Sequence, residues 1–382
     1  MAQRLFQGCF FLSPRVRVAA SGIMLPMSLD PAAMLGARMI AIPVDLEAAI
    51  AQALQAVPEA RWLREAQALS DRYRAQRTHG KEPLATGQLQ ALGYAALIMP
   101  ATYAQLRGAM AAAAARIPHW SPRTMLDLGS GPGTALWAAA AQWPSLEQMA
   151  AYEREAALIA LGRDLARGSQ TAAVRQAHWQ RMNLRDLPPA PPQRYDLVVL
   201  GHVLNELAPD GQRAVVQWAW AATGGVLLIV EPGTSAAFPI VRAARDDLLT
   251  VGAHTIAPCA HDQPCPLRND WCHFPQRLKR PPFQRRARGA PSEWEDSKFS
   301  YAALARFVPS APIWGRVIME PTSNKAYAEA LVSARSGVYW QRALKRHKDA
   351  YRMVKDLPWG AALPEPFEDP VAALPHSPSE PT

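Results

Sequence analysis

Cysteine is scarce in this sequence: 382 residues carry four, and none lies between Phe10 and Cys259. So few thiols in so long a chain do not make a disulfide framework. Long apolar runs are missing too. No stretch approaches the ~18 to 20 consecutive apolar residues of a bilayer-spanning helix, so no membrane segment is expected, and the Phe10-Phe11-Leu12 patch is too short for one. Acids are absent from the first 29 positions, which carry Arg4, Arg15 and Arg17. That composition is common to organellar transit peptides and to translated upstream sequence. Residues 1–30 are therefore expected to be an unstructured extension, with Met27 as the natural start. Acids are also in deficit overall, with 41 Lys and Arg against 32 Asp and Glu, a net charge of +9. Such a field favours polyanions, of which RNA is the usual one for a soluble protein.

What is present is a globular composition, 49% hydrophobic, of a length that suggests two or three folding units. Pro31 to Arg116 reads as helical, rich in Ala, Leu, Gln and Arg and broken at Pro43, Pro58, His79-Gly80 and Pro100. From Thr124 to Glu231 strand-like and helix-like segments alternate, as in a parallel sheet with crossover helices. Tyr195–Leu200 and Gly225–Val230 have the short, Val/Ile/Leu-rich character of buried parallel strands. Periodicity is lost from Pro258 to Glu295. Ile313–Met319 and Ala326–Ser333 are expected to return to the sheet as an antiparallel pair. The resulting division is a helical domain over 31–118, an α/β domain over 119–253 and 301–360, a Cys-rich insertion with a basic arm over 254–300, and a disordered tail over 361–382.

In Leu126-Asp127-Leu128-Gly129-Ser130-Gly131-Pro132-Gly133 a strand ends on an acid and enters three alternating glycines before an Ala-rich helix. Glycines allow the tight turn and close backbone approach to a ligand, and the helix N-terminus offers free N–H groups. Dinucleotide folds use G-x-G-x-x-G; the G-x-G-x-G spacing here, with its preceding acid, resembles motif I of S-adenosylmethionine-dependent methyltransferases. The fold expected is therefore the class-I methyltransferase Rossmann-like doubly wound sheet. Asp127, Gly129, Gly131 and Gly133 are candidate cofactor residues. Glu153, twenty residues beyond Gly133, is placed to take the ribose hydroxyls. Asn183 and Leu184 stand where an adenine contact is expected, with Asp186 as the other candidate, and Gly201 and His202 end the fourth strand at the crevice.

Cys259, Cys265 and Cys272 fall within fourteen residues of a Pro-rich loop. Thiolates suit zinc or iron–sulfur clusters, and intervals of five and six residues do not match the short pairs of zinc ribbons, so a cubane cluster is preferred. His254, His261, His273 and the distant Cys9 are candidates for a fourth ligand. Downstream, Arg277, Lys279, Arg280, Arg285, Arg286 and Arg288 form a basic arm without an acid, with Phe283 expected to stack on an unpaired base.

Several distinctive strings accompany these motifs: Ser70-Asp71-Arg72-Tyr73-Arg74, Met99-Pro100-Ala101-Thr102-Tyr103, His202-Val203-Leu204-Asn205-Glu206-Leu207, Glu231-Pro232-Gly233-Thr234, Asp270-Trp271-Cys272-His273-Phe274 and Lys298-Phe299-Ser300-Tyr301. Over most of residues 60–360 the chain resembles the methyltransferase-like assembly factors of the small ribosomal subunit, found in mitochondria and bacteria. The resemblance implies a helical N-terminal domain, S-adenosylmethionine, action on small-subunit ribosomal RNA, and a four-iron four-sulfur cluster on four cysteines. Three of those carry over to Cys259, Cys265 and Cys272; the fourth position holds Ser333, a poorer ligand for iron. Two readings remain open, an RNA methyltransferase and a non-catalytic assembly factor that keeps the cofactor pocket. The sequence lacks both the Asn/Asp-Pro-Pro-aromatic run of exocyclic-amine methylases and a nucleophilic cysteine in the α/β domain. Asn205 and Glu206 are polar enough to act, and no catalytic residue is assigned. A monomer in the bacterial cytoplasm is expected, with the mitochondrial matrix as the alternative.

Overall fold

The computed structural model describes residues 39–75, 85–267, 270–366 and 374–375. The expected N-terminal extension with Cys9, the His79-Gly80 turn and most of the expected tail lie outside these residues.

Four helices open the described chain: α1 (Val44–Gln55), α2 (Glu59–Ala75), α3 (Gln88–Leu97) and α4 (Met99–Ala114). Pro43, in an extended conformation, starts α1, and Asp45 and Glu47 in its first turn suit the positive end of the dipole. Leu46, Ile50 and Leu54, four residues apart, form its buried stripe. α4 is buried almost all round, because it lies between α3 on one side and α5 (Thr134–Gln142) and the sheet on the other. One continuous core runs from Ile42 and Leu46 through Tyr103 and Leu106 to Val199 and Phe299, so the helical segment shares its core with the sheet.

The central sheet begins with β1 (Thr124–Leu128), β2 (Gln148–Glu153), β3 (His178–Arg181), β4 (Tyr195–Gly201) and β5 (Thr223–Pro232). Their crossovers carry α5, α6 (Ala156–Arg167), α7 (Ala172–Arg175) and α8 (Pro209–Ala222), and α9 (Phe238–Leu249) follows β5. β6 (His254–Ala257), β7 (Phe274–Lys279), α10 (Pro282–Arg288) and β8 (Trp294–Ala305) complete it. The order is β3-β2-β1-β4-β5-β8-β6, with β7 also on β8. β1 to β5 are mutually parallel, and β8 runs antiparallel between β5 and β6. This is the expected α/β methyltransferase-like doubly wound sheet, with β1 and β4 adjacent, so that the ends of both open onto one crevice.

The edge of the sheet departs from expectation. The returning antiparallel strand is β8, which begins inside the segment read as an insertion, where β6, β7 and α10 are also regular elements. Ile313–Met319 and Ala326–Ser333 do not join the central sheet. They contribute β9 (Gly315–Val317) and β11 (Tyr327–Ala334) to a second antiparallel sheet with β10 (Thr322–Ser323), β12 (Gly337–Leu344), β13 (Ala362–Leu363) and β14 (Leu374–Pro375). α11 (Lys348–Lys355) packs on β11 and β12. β13, paired with β9, also places part of the expected tail in the fold. The reason is composition: β8 is buried through Phe299-Ser300-Tyr301-Ala302-Ala303-Leu304-Ala305 yet has no Val or Ile, so its strand character is faint in sequence.

Candidate cofactor crevice and cysteine cavity

Gly129, Gly131 and Gly133 all adopt left-handed φ, at 69°, 55° and 82°, a conformation that side chains strain to reach. Gly129 and Ser130 donate to the carbonyl of Tyr152, tying the turn to β2. The crevice beside this turn is lined by Gly129, Gly131, Glu153, Asn183, Leu184, Gly201 and His202. Seven of the nine predicted cofactor residues thus converge. Asp127 and Gly133 do not line it. Asp127 is buried within β1, and Gly133 packs on the Trp179 indole.

Glu153 sits at the end of β2 with its Oε2 accepting from the Gly131 N–H at 2.8 Å, and its Oε1 from the Arg154 and Glu155 N–H groups at 2.8 and 2.9 Å. Burial nevertheless raises its pKa, against the lowering effect of these bonds. Carboxylate oxygens accept more than one bond, so capacity for a ribose hydroxyl remains. Asn183 Nδ2 donates to Asp186 at 2.8 Å; Asn183 lines the crevice, and Asp186 does not. Tyr94 from α3 closes the opposite side, near Gly131.

His202 carries a positive φ of 60°, unusual for a side-chain-bearing residue. Its Nε2 meets Gln105 Oε1 of α4 at 2.5 Å, while Gln105 Nε2 donates to Ser297 Oγ and to the Lys298 carbonyl. A carbonyl only accepts, which fixes the amide orientation and makes His202 the donor through Nε2. Burial lowers the His202 pKa to about 4, so the ring is neutral. α4 therefore covers the exit of β4.

The loop after β4 supplies a residue that the sequence offered only as polar enough to act. Glu206 lines the crevice with its pKa pushed up by burial to about 7, against the lowering effect of Arg154 at 3.9 Å. Glu231 holds this loop by accepting the N–H groups of Val203 and Leu204 at 3.1 and 2.7 Å. Arg154 and Arg185 were not singled out from sequence; both line the crevice.

Cys259, Cys265 and Cys272 line a second cavity, with Ser333 on its wall. β9–β11 register sets Ser333 opposite Arg316, which lines it as well. His254, His261 and His273 do not line it. His254 pairs with Asp262, and His273 stacks on Trp271. Burial raises the pKa of all three thiols, that of Cys272 well above the ordinary value. Among the described residues no three His, Cys, Asp or Glu side chains are grouped so as to hold a metal ion. Arginines anchor the loop by its carbonyls: Arg245 to His261 and Gln263, Arg242 to Leu267, Arg316 to Pro258 and Arg116 to Cys259.

The basic arm is not a free arm. It forms the end of β7 and α10, and Phe283 is 2% exposed, which removes it as a stacking platform. Arg277 pairs with Asp296, Arg280 and Arg288 with Glu295, Arg285 with Glu293 and Arg286 with Glu59. The sequence showed no acid within the arm because these acids lie on β8, on the loop before it and on α2.

The chain has relatives among known proteins. The human mitochondrial ribosome assembly protein METTL17 is 32% identical over 268 residues, covering 65% of this chain and 57% of that protein. The Rsm22-cox11 tandem protein 2 of Schizosaccharomyces pombe, also named as mitochondrial, is 22% identical over 288 residues, 63% of this chain and 38% of its own. The chain thus spans about half the length or less of the curated relatives it matches. Among solved structures, magnesium protoporphyrin IX methyltransferase from Synechocystis PCC 6803 with bound SAM is 11% identical, covers 64% of this chain and 97% of that one, and has a TM-score of 0.35. PKMT2 from Rickettsia typhi with AdoHcy is 14% identical, covers 39% and 28%, and scores 0.29. These relatives and the matching family are described as mitochondrial, which overturns the expectation of a bacterial cytoplasm. The family described as mitochondrial small ribosomal subunit Rsm22 matches residues 88–364, most of the chain, and the chain belongs to that family.

Proposed function

We propose that this protein is a small-subunit ribosome assembly factor that binds S-adenosylmethionine in the β1–β4 crevice and acts on ribosomal RNA chiefly by binding. The observation that carries the cofactor reading is the convergence of Gly129, Gly131 and Glu153 on one crevice, with the glycines in left-handed conformation. The binding role is supported by the exit of β4, where α4 lies over the strand end and Gln105 bonds His202. Calorimetric titration should show S-adenosylmethionine binding by the wild type. Gly131→Val, strained at φ +55° with its side chain directed toward Tyr94, should bind at least tenfold more weakly; equal affinities would remove the crevice as the site.

Methyl transfer is a second reading, favoured by Glu206, a crevice carboxyl with a pKa near neutrality and so suited to take a proton. Labelled methyl should then reach precursor small subunits with the wild type and not with Glu206→Gln. Absence of label with protein that binds both cofactor and RNA decides for the binding role.

For the RNA contact, the pairing of the 277–288 arginines directs attention to a different surface. Lys345 donates its N–H to the Ala326 carbonyl, and Tyr351 its hydroxyl to the Asn324 carbonyl. These bonds bring the Asn324-Lys325 turn beside Lys345, Arg346, Lys348 and Arg352, all exposed. Among the described residues no carboxylate pairs with these five cations, and the nearby Arg342 is matched by Glu329. Phosphate contacts release counterions with a log–log salt slope of about 0.7 per contact on single strands. Replacing Lys345, Arg346 and Lys348 by Ala should flatten the slope on small-subunit RNA by about two units, and the same change at Arg285, Arg286 and Arg288 by less. The reverse order would return the contact to the arm.

The third element is an iron–sulfur cluster held by Cys259, Cys265 and Cys272, with Ser333 at the fourth side. The donor chemistry of the residues fits such a group, since three thiols and a hydroxyl line one cavity. Bound there, the cluster would supply much of the folding free energy of the 258–273 loop. Anaerobically purified protein should be brown and contain iron and sulfide; colourless protein with stoichiometric zinc would decide for the mononuclear alternative.

A further inference from the structure

The cysteine cavity has a second wall that no thiol explains. Arg245 from α9, Arg316 from β9 and Tyr301 from β8 line it, and they are 3%, 1% and 3% exposed. A guanidinium out of water is costly unless it is paired. Arg316 donates to the carbonyls of Pro258 at 2.6 Å and Gly360 at 2.8 Å, and no ion pair neutralises it among the described residues. Arg116, also buried, is bonded only to the carbonyls of Ala311, Ile256 and Cys259. Arg245 has one carboxylate, that of Asp246 at 2.7 Å, whose side chain is 42% exposed. Asp262, the other acid nearby, is committed to the Thr255 N–H and to His254. Carbonyl dipoles solvate a cation without cancelling its charge, so this wall keeps a positive excess.

Among the described residues, two buried donors of these side chains are also without acceptors, Arg245 Nε and Tyr301 Oη. They come from different elements, and a purely structural anchoring of the loop accounts for neither. Loop anchoring uses Arg245 Nη2, and among the described residues Tyr301 Oη has no partner in the loop.

We propose that Arg245, Arg316 and Tyr301 form an anion-recognition wall, whose Arg245 Nε–H and Tyr301 O–H donate hydrogen bonds to the sulfur atoms of a net-negative, thiolate-held iron–sulfur cluster. The proposal rests on the cluster reading above and goes beyond it: these are positioning residues, not ligands, and they set how firmly the cluster is held and at what potential. With serine in place of a fourth thiol, such a wall would help to hold the cluster by stabilising the charge that the three thiolates bring.

The test uses the full-length chain and Tyr301→Phe, which deletes one atom, together with Arg245→Lys, which keeps the charge and removes Nε–H. In the metal-free protein Tyr301→Phe should be as stable as the wild type or more so, because a buried hydroxyl without a partner is lost. After anaerobic reconstitution the same variant should surrender iron to a chelator roughly tenfold faster than the wild type, the scale of one lost bond to a charged group, and its midpoint potential should move to a more negative value. Arg245→Lys should move in the same direction. If both variants match the wild type in chelator half-life and potential while the wild type holds its cluster, the wall is not a recognition element and the cluster reading stands. A wild type that takes up no iron and sulfide, or binds zinc alone, overturns both.

Discussion

Buried carboxyls set the pH behaviour of the cofactor crevice. Glu231 is fully buried; its Oε1 accepts two backbone N–H groups, its Oε2 has no partner, and burial raises its pKa to about 8. Asp127 is raised to about 8, by burial first and then by Glu153, and Glu206 to about 7. A carboxyl whose folded pKa lies above its unfolded value binds more protons when folded, so stability falls as pH rises between the two values and levels off above the folded one. The urea midpoint should therefore drop between about pH 5 and pH 8, and Glu231→Gln should reduce the drop. A midpoint flat across that range, or one that rises, would show that these groups ionise normally. Sequence identified Asp127 by its place before the glycines but not its burial, because a strand-end acid can point to either face of the sheet.

Among the elements, α6 depends on one close approach. Gly162 faces the Trp179 indole so closely that an added Cβ would clash, and Gly133 flanks the same ring, where a Cβ would lie 2.8 Å from it. Trp179 on β3 thus wedges between α6 and the start of α5. Gly162→Ala should cost roughly 1–3 kcal/mol by overpacking, read as a lower denaturant midpoint, and Trp179→Phe should relieve it in a double-mutant cycle. Additive effects would show that the ring simply moves aside. The motif-I turn was legible because its glycines are adjacent in sequence and each meets a local backbone demand. The wedge was not, since Gly162 and Trp179 meet only through the crossover. Likewise the strong apolar runs of β4 and β5 announced themselves, while the Ala- and Ser-bearing β8 became a strand through its pairing with β5, β6 and β7. The arm over 277–288 became an end of β7 and a short helix because Pro281 starts α10 and Gly289, at φ 59°, ends it.

On the scale of the whole molecule, the charge excess is unevenly used. The arginines around the cysteine cavity are buried, those of α10 and the end of β7 are paired, and the turns at one end of the second sheet leave theirs open to solvent. The proposed RNA binding through that end should weaken steeply with salt, whereas the proposed cofactor binding, which would depend on backbone N–H groups and buried carboxyls, should vary little between low and physiological salt. Parallel titrations of both ligands against salt would show the contrast, and equal slopes would place RNA and cofactor on a shared electrostatic surface. The sequence by itself determined the α/β order, the cofactor turn with Glu153 twenty residues on, the clustering of three cysteines and the family, because each is written in contiguous residues or fixed spacings. Only the tertiary structure decided that the helical segment shares the core of the sheet, that β8 rather than the later strands returns antiparallel beside β5, that Ser333 reaches the cysteine cavity with Arg316 beside it, and which cations remain unpaired. Those outcomes depend on which distant segments come to lie side by side, and burial and charge pairing are properties of that arrangement rather than of any stretch of chain.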